Sequence, residues 1–300
     1  MAEIPRAIDY DDYTTGMCER AVLTLLKCAG PWWERIYLAG GLVPRYLITK
    51  LPDLARPHVG TTDVDLVVGV AVLDERPEPY ETLVTNMRKA GFDMYADEVG
   101  RQQSFRWSVV IDGKTVLVEF MTAQGGAPGS VARPRQGPGA KLGAFEARGA
   151  SLVALDYVER EIRGKLKDGS ESFAKLRVAN LVPFLTLKSL ALDERGVVKH
   201  KDAYDIVFTL GNWSGGPAGA AVAAATSPVI GREVVREALG KLDGHFEHVG
   251  MDGPGHYSTF LFNEAVDDDE EAERLRLEAL AVVRGFFDAL TRTGDGVRAL

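Results

Sequence analysis

The 300 residues, 46% of them hydrophobic, suffice for one large domain or two modest ones with real cores. A formal charge of −8 argues against blanket electrostatic binding to nucleic acid or an anionic membrane, so any polyanionic partner has to be met by a local patch. No leader with a basic, then apolar, then small-residue pattern opens the sequence, and no apolar run approaches the roughly 18 residues of a membrane span, so neither secretion nor membrane insertion is expected.

Residues 12 to 29 place Met17, Val22, Leu25 and Leu26 among charged residues at helical spacing and predict an amphipathic helix. Cys18 and Cys28 within it have no third cysteine or nearby histidine to build a zinc site; they read as reduced thiols and point to a cytoplasmic setting. "IYLA" gives a short strand, Gly40-Gly41 a turn, and a helix carrying Arg45 follows, with Pro44 confined to its first turn. "TTDVDLVVGVAVL" is strand-like. "YETLVTNMRKAGF" predicts a helix stopped at Gly91. "FRWSVVIDGKTVLVEFMT" predicts a hairpin, because two β-rich runs flank Asp112-Gly113, the dipeptide suited to a two-residue turn. Residues 124 to 143, rich in Gly and Pro, read as a mobile loop with Arg133, Arg135 and Lys141 available for phosphate contacts. A last strand is expected within "ASLVALDYVEREI". From about residue 173 long helical patterns take over, and a Gly/Ala-rich stretch at 211–228 reads as a loop followed by a small-residue helix. The expected architecture is α/β (α+β): a mixed sheet flanked by helices over residues 1–170, then a helical domain over 171–300.

The chemistry is concentrated in "TTDVDLVV". Side chains at i and i+2 of a strand project to the same side, so Asp63 and Asp65 stand together while Val64 and Leu66 face away. Two like charges so placed need a cation, and oxygen-only donors suit Mg²⁺. Alone, the pair reads more readily as a strand-end cap beside a Thr61-Thr62 turn, since short acidic pairs are common at loop edges. Glu119, the lone charge in "KTVLVEFM", is a second acid breaching an apolar strand and also needs a partner. Gly40 and Gly41 would let backbone amides approach an anion at a helix start, or simply make a tight turn. Lys188 interrupts the apolar helix from Leu181 to Leu192; if buried it requires a protein carboxylate or a ligand phosphate, and otherwise its long stem carries the charge to the surface. In "KHKDAYDIVF", Asp202 reads as a charge at the helix N-terminus, and Asp205 as an inward acid able to pair with Lys188.

In order, "AGG" after a strand, "TTDVDLVV", and "TVLVEF" on a hairpin resemble the DNA polymerase β-type nucleotidyltransferase superfamily. "VPFLTLKSLALDERGVVKHKDAYDIVFTL" is similar to the AbiEii-like branch, which includes nucleotidyltransferase toxins of toxin-antitoxin systems. The resemblance spans roughly residues 35 to 210. It implies that Asp63, Asp65 and Glu119 hold one or two Mg²⁺ ions, with Glu119 helping to activate the attacking hydroxyl. It implies that Gly40 and Gly41 lie at the NTP phosphates, that Lys188 contacts them, and that Asp205 is the downstream acid; Arg45, by its closeness to the glycines, and Thr62, beside Asp63, are further candidates for the nucleotide. Gly41 stands where many members carry a serine, and Glu119 where aspartate is common. The implied activity moves a nucleoside monophosphate from an NTP to an acceptor hydroxyl, for which an RNA end such as tRNA is the expectation, with an antitoxin protein as partner. A small-molecule acceptor of the aminoglycoside kind, towards which the net charge leans, and a non-catalytic nucleotide- or protein-binding scaffold are the alternatives.

Overall fold

The computed structural model describes residues 5–53, 55–68, 77–122, 130–132, 142–194, 200–262 and 268–293, side chains of 77–82 excepted. These residues contain a mixed nine-stranded sheet with flanking helices and a helical C-terminal region. The chain divides into two compact units: Asp12–Val43 with Gly60–Ala179, and Met1–Asp11 with Pro44–Val59 and Asn180–Leu300.

The first unit holds the sheet. Helix α1 (Asp12–Cys28) is followed by β1 (Ile36–Ala39), β2 (Asp63–Val68), helix α3 (Pro77–Lys89), β3 (Phe92–Ala96), β4 (Gln102–Ile111), β5 (Lys114–Thr122), the short β6 (Val131–Ala132) and β7 (Ala144–Glu146), β8 (Tyr157–Lys165) and β9 (Glu171–Ala179). The main path runs β3-β4-β5-β2-β1-β9-β8. β2 lies parallel to β5 and antiparallel to β1, while β1 runs parallel to β9. One face is apolar: Val64, Leu66, Trp107, Val109, Val118, Phe120, Leu38 and Val178 are fully or almost fully buried, and α1 packs across β2, β4, β5, β8 and β9 with Met17, Ala21, Val22 and Leu25. Burying such side chains stabilises the unit by about 1.5–3 kcal/mol each.

The hairpin forms at the expected turn. Asp112 (φ 49°) and Gly113 (φ 81°) are both left-handed, the pattern of a type I′ turn whose twist matches the flanking strands. Two elements depart from the sequence reading. β9 runs to Ala179, beyond the point where strands were expected to end: in "ESFAKLRVA" the charged residues alternate with Ala174, Leu176 and Val178, and the strand pairs with β8 and β1. The strand expected in 150–162 begins only at Tyr157, since Ala150–Leu152 form a 3₁₀ turn. Residues 69–76, the end of the expected β2 run, and most of the Gly/Pro loop, with Arg133, Arg135 and Lys141, lie outside the described residues.

The second unit is helical: most of α2 (Val43–Leu47), then α4 (Leu181–Glu194), α5 (His200–Gly211), α6 (Gly216–Ala225), α7 (Glu233–His245), α8 (Asp252–Leu261) and α9 (Asp269–Thr293). α4 packs on α7 and α5, α5 on α8, and α9 lies against α6 and α8. Along α9, Leu275, Ala279, Val283, Phe286 and Leu290 recur at helical spacing and are buried, while the acidic first turn, Asp269 to Glu271, complements the helix N-terminus. The helix α8 was not legible in sequence, because "DGPGHY" carries turn residues; Pro254 sits in its first turn, where no amide hydrogen is needed. No helix among the described residues is long and apolar enough to cross a membrane.

Candidate functional site: an acidic row across the sheet

The sheet face opposite α1 carries a row of polar side chains. Asp65 is the register partner of Glu119 on β5 and of Ala39 on β1, and Glu119 is the partner of Arg106 on β4. Strands lie about 4.8 Å apart, and register partners project to the same face. Arg106, Glu119 and Asp65 therefore stand side by side, with Asp63 two residues along β2 on the same face. All four are half-buried, unlike the apolar residues that alternate with them.

Each acid is positioned by local structure. Thr15 of α1 is tied to the backbone of Thr61: its Oγ donates to the Thr61 carbonyl at 3.3 Å and accepts from the Thr61 amide at 3.1 Å. Thr61 Oγ1 in turn donates to Asp63 Oδ1 at 2.9 Å, so α1 steadies the mouth of β2 and, through it, one carboxylate. Cys18 of the same helix, whose Sγ lies 3.7 Å from the Thr61 carbonyl, is free. Burial, with the charges of Asp63, Glu19 and Asp65 nearby, pushes its thiol up to about 12 and keeps it an unreactive SH.

Asp65 is seated against the glycine turn. Gly40 has φ +68°, a left-handed conformation, and a Cβ built on it would lie 1.8 Å from Asp65 Oδ2 and 2.7 Å from Asp65 Cβ. Only glycine allows the carboxylate to rest there. The sequence suggested an anion site at a helix start; the helix after the glycines, α2, has only five residues, so its macrodipole is slight. The glycine also clears space for the acid. Gly40→Ala is expected to cost about 2–4 kcal/mol, from left-handed strain and overlap together, and to displace Asp65. Urea denaturation of the variant tests this, and wild-type stability would show that Asp65 is not so seated.

Glu119 already has a partner. Arg106 Nε donates to Glu119 Oε1 at 2.6 Å, and Arg106 Nη2 reaches the same oxygen. The guanidinium also lies 5.6 Å from the ring centroids of both Tyr95 and Phe105. Asp63 and Asp65 are an oxygen-donor pair that fits a divalent ion. For Glu119 to join them, Arg106 has to yield it. Among the described residues no group of three or more His, Cys, Asp or Glu side chains is gathered as a metal site.

The remaining predicted residues belong to the helical unit, apart from Gly41, buried in the turn after β1, and Thr62, exposed beside Asp63. Arg45 is half-buried on α2. Lys188 and Asp205 form the centre of a buried ionic cluster. Lys188 Nζ lies 2.7 Å from both Asp202 Oδ1 and Asp205 Oδ2, and Lys201 Nζ donates to both oxygens of Asp205, at 2.8 and 3.1 Å. His58 Nε2 is 2.9 Å from Asp205 Oδ1. Lys188 thus meets two protein carboxylates. Asp202, 5% exposed, stands in the first turn of α5 as expected and also pairs with Lys188.

Burial alone would lower the Lys188 ammonium, but the charges of Asp202 and Asp205 outweigh it and hold it above its ordinary value. Burial likewise raises Asp205, yet Lys188, Lys201 and His58 together hold its carboxyl far below the usual range. His58 was not singled out by the sequence, being 147 residues from its partner. Its ring packs on Tyr204 and Phe208, with centroids 5.2 and 4.9 Å away. Burial lowers its imidazole to about 4 against the pull of Asp205, whose charge the two lysines already match. Because the unfolded state binds a proton near pH 6.5 and the folded state only near 4, stability is full above 6.5 and is lost as pH falls through this window. The loss is about 3 kcal/mol. Urea midpoints between pH 7.5 and 4.5 should fall more steeply for the wild type than for His58→Gln; parallel profiles would show that His58 does not titrate in this range.

No family model matches the chain, and no curated protein matches it. The fold is similar to the crystal structure of JHP933 from Helicobacter pylori, with 12% sequence identity and a TM-score of 0.43 over 96% of this chain and 97% of that one.

Proposed function

We propose that this protein is a Mg²⁺-dependent nucleotidyltransferase that moves a nucleoside monophosphate from an NTP to an acceptor hydroxyl. The observation that carries the reading is the placement of two half-buried carboxylates, Asp63 and Asp65, on one face of β2, with Asp65 resting on Gly40 and in register with Glu119. A like-charged row of this kind is unfavourable without a cation. In this reading Asp63 and Asp65 would hold Mg²⁺, which when bound supplies charge neutralisation for the triphosphate. Thr61 keeps Asp63 aimed. Glu119, released by Arg106, accepts the proton of the acceptor hydroxyl as its oxygen bonds to the α-phosphorus and the bond to pyrophosphate breaks. Gly40 and Gly41 are assigned to the nucleotide phosphates on the resemblance of residues 35–210 to AbiEii-like nucleotidyltransferases, and Thr62 by its place beside Asp63. Lys188 and Asp205, which the same resemblance gives to the phosphates and to the downstream acid, have their charges matched within the helical unit, and we assign them to its stability.

The acceptor we assign, on that resemblance, is an RNA 3′ end such as that of tRNA, with the protein acting as a toxin in the cytoplasm and countered by an antitoxin. The test is incubation of purified protein with labelled NTPs and Mg²⁺, first with total tRNA and then with small polyhydroxylated polycations. Label on RNA supports this acceptor; label on the small molecules moves the assignment to a small-molecule nucleotidyltransferase. The Arg106–Glu119 ion pair favours one further reading, a nucleotide- or protein-binding module whose third acid is permanently engaged. Nucleotide binding without transfer to any acceptor would select it.

A further inference from the structure

We infer that Arg106 is a positioning residue that competes with the divalent ion for Glu119 and so sets the ion affinity of the acidic row; the inference rests on the nucleotidyltransferase reading. Asp65 and Glu119 are register partners on adjacent parallel strands, so their carboxylates repel unless a cation stands by. Arg106, the next register partner in the same row, is that cation: Nε and Nη2 converge on Glu119 Oε1, the former at 2.6 Å. The Tyr95 and Phe105 rings beside the guanidinium favour its charge.

The pair is close in geometry yet not sealed. The side chains of Arg106 and Glu119 keep 28% and 21% of their exposure, and an ion pair of that accessibility is weak enough to be exchanged. A divalent ion held by Asp63 and Asp65 brings two positive charges to the row, and Glu119 then has two cations to choose between. Arg106 thus acts through Glu119 and through its own repulsion of the ion. It keeps the row folded and neutralised when no ion is bound, and each binding event has to work against it.

The experiment is Mn²⁺ titration of the full-length protein, followed by electron paramagnetic resonance of the free ion, with no turnover involved. Arg106→Gln is expected to tighten Mn²⁺ binding by about five- to tenfold, the range for losing one partly exposed charge nearby. Most of the gain should be lost when Glu119→Gln is added, since the ligand competed for is then gone and only the direct repulsion between Arg106 and the ion remains. Arg106→Lys, which keeps the charge and loses the two-nitrogen grip, should fall between the two; it serves as the readout if Arg106→Gln does not fold. Unchanged or weaker Mn²⁺ affinity in a folded Arg106 variant, with wild-type binding still abolished by Asp65→Asn, overturns the inference and leaves the enzyme reading standing. Wild-type protein that binds no Mn²⁺ in an Asp65-dependent way overturns both.

Discussion

Asp65→Asn is expected to reduce nucleotidyl transfer by at least about 10³-fold while leaving the thermal midpoint unchanged or higher. The substitution keeps the size and hydrogen-bonding reach of the side chain, so it still fits beside Gly40, where a Cβ would already lie 1.8 Å from Oδ2. What it removes is one of two negative charges on the same face of β2, together with its repulsion of Glu119 across the ladder. Relief of that repulsion stabilises the unliganded fold; loss of the charge removes an oxygen donor that an asparagine cannot match. Activity and stability therefore move in opposite directions. This is the signature of a residue kept for function at a structural cost, and labelled-NTP transfer alongside a thermal melt reads both. A variant that transfers label at the wild-type rate would remove Asp65 from the mechanism. One that unfolds would show the acid to be structural.

In the helical unit, the largest effect is expected at Asp205. Asp205→Ala strips the anion from between Lys188, Lys201 and His58, in a site where Asp205 has no exposure at all. Breaking a buried ionic cluster by removing one member costs about 3–5 kcal/mol, chiefly because the partners keep their charge without compensation. Asp202 still pairs with Lys188, so Lys201 carries most of the penalty. Adding Lys201→Met to Asp205→Ala should accordingly recover part of the loss, since the stranded charge is gone. Urea denaturation of the two variants checks this. Equal stability of the single and double variants would place the cost elsewhere, in the contact with His58 or in the cavity left behind. If Asp205→Ala is folded at low temperature and transfers nucleotide with an unchanged KM for NTP, the cluster is a stability device and not a phosphate-binding group.

Much of this molecule was readable from local pattern. The period of α1, the strand "IYLA", the helix stop near Gly91 and the Asp112-Gly113 hairpin depend on neighbours in sequence and form as expected. The hairpin even contains one contact that went unread: counting equally outward from the two-residue turn puts Arg106 opposite Glu119, the pair that now qualifies the third acid's role. Lys188 was likewise legible as a charge needing an anion, because no other residue type is so conspicuous on an apolar helix. β9 carries a period-2 alternation of charged residues with Ala174, Leu176 and Val178 that is masked by the helical patterns following it, whereas α8 opens on turn residues and depends on packing against α5 and α9.

Alternation along β2 put Asp63 and Asp65 on one side of a strand, and composition ruled out a broadly basic surface; both follow from the chain alone, since side-chain direction is a local property of extended backbone. Which residue stands next to Asp65 is not local. The parallel register of β2 with β5, the antiparallel register with β1 that brings Gly40 beneath the carboxylate, and the meeting of His58 with Asp205 across 147 residues exist only once the core has formed. A shift of one residue in any of those ladders would turn the acids towards α1 and bury them unpaired, so the packing of the apolar face is what fixes the polar one.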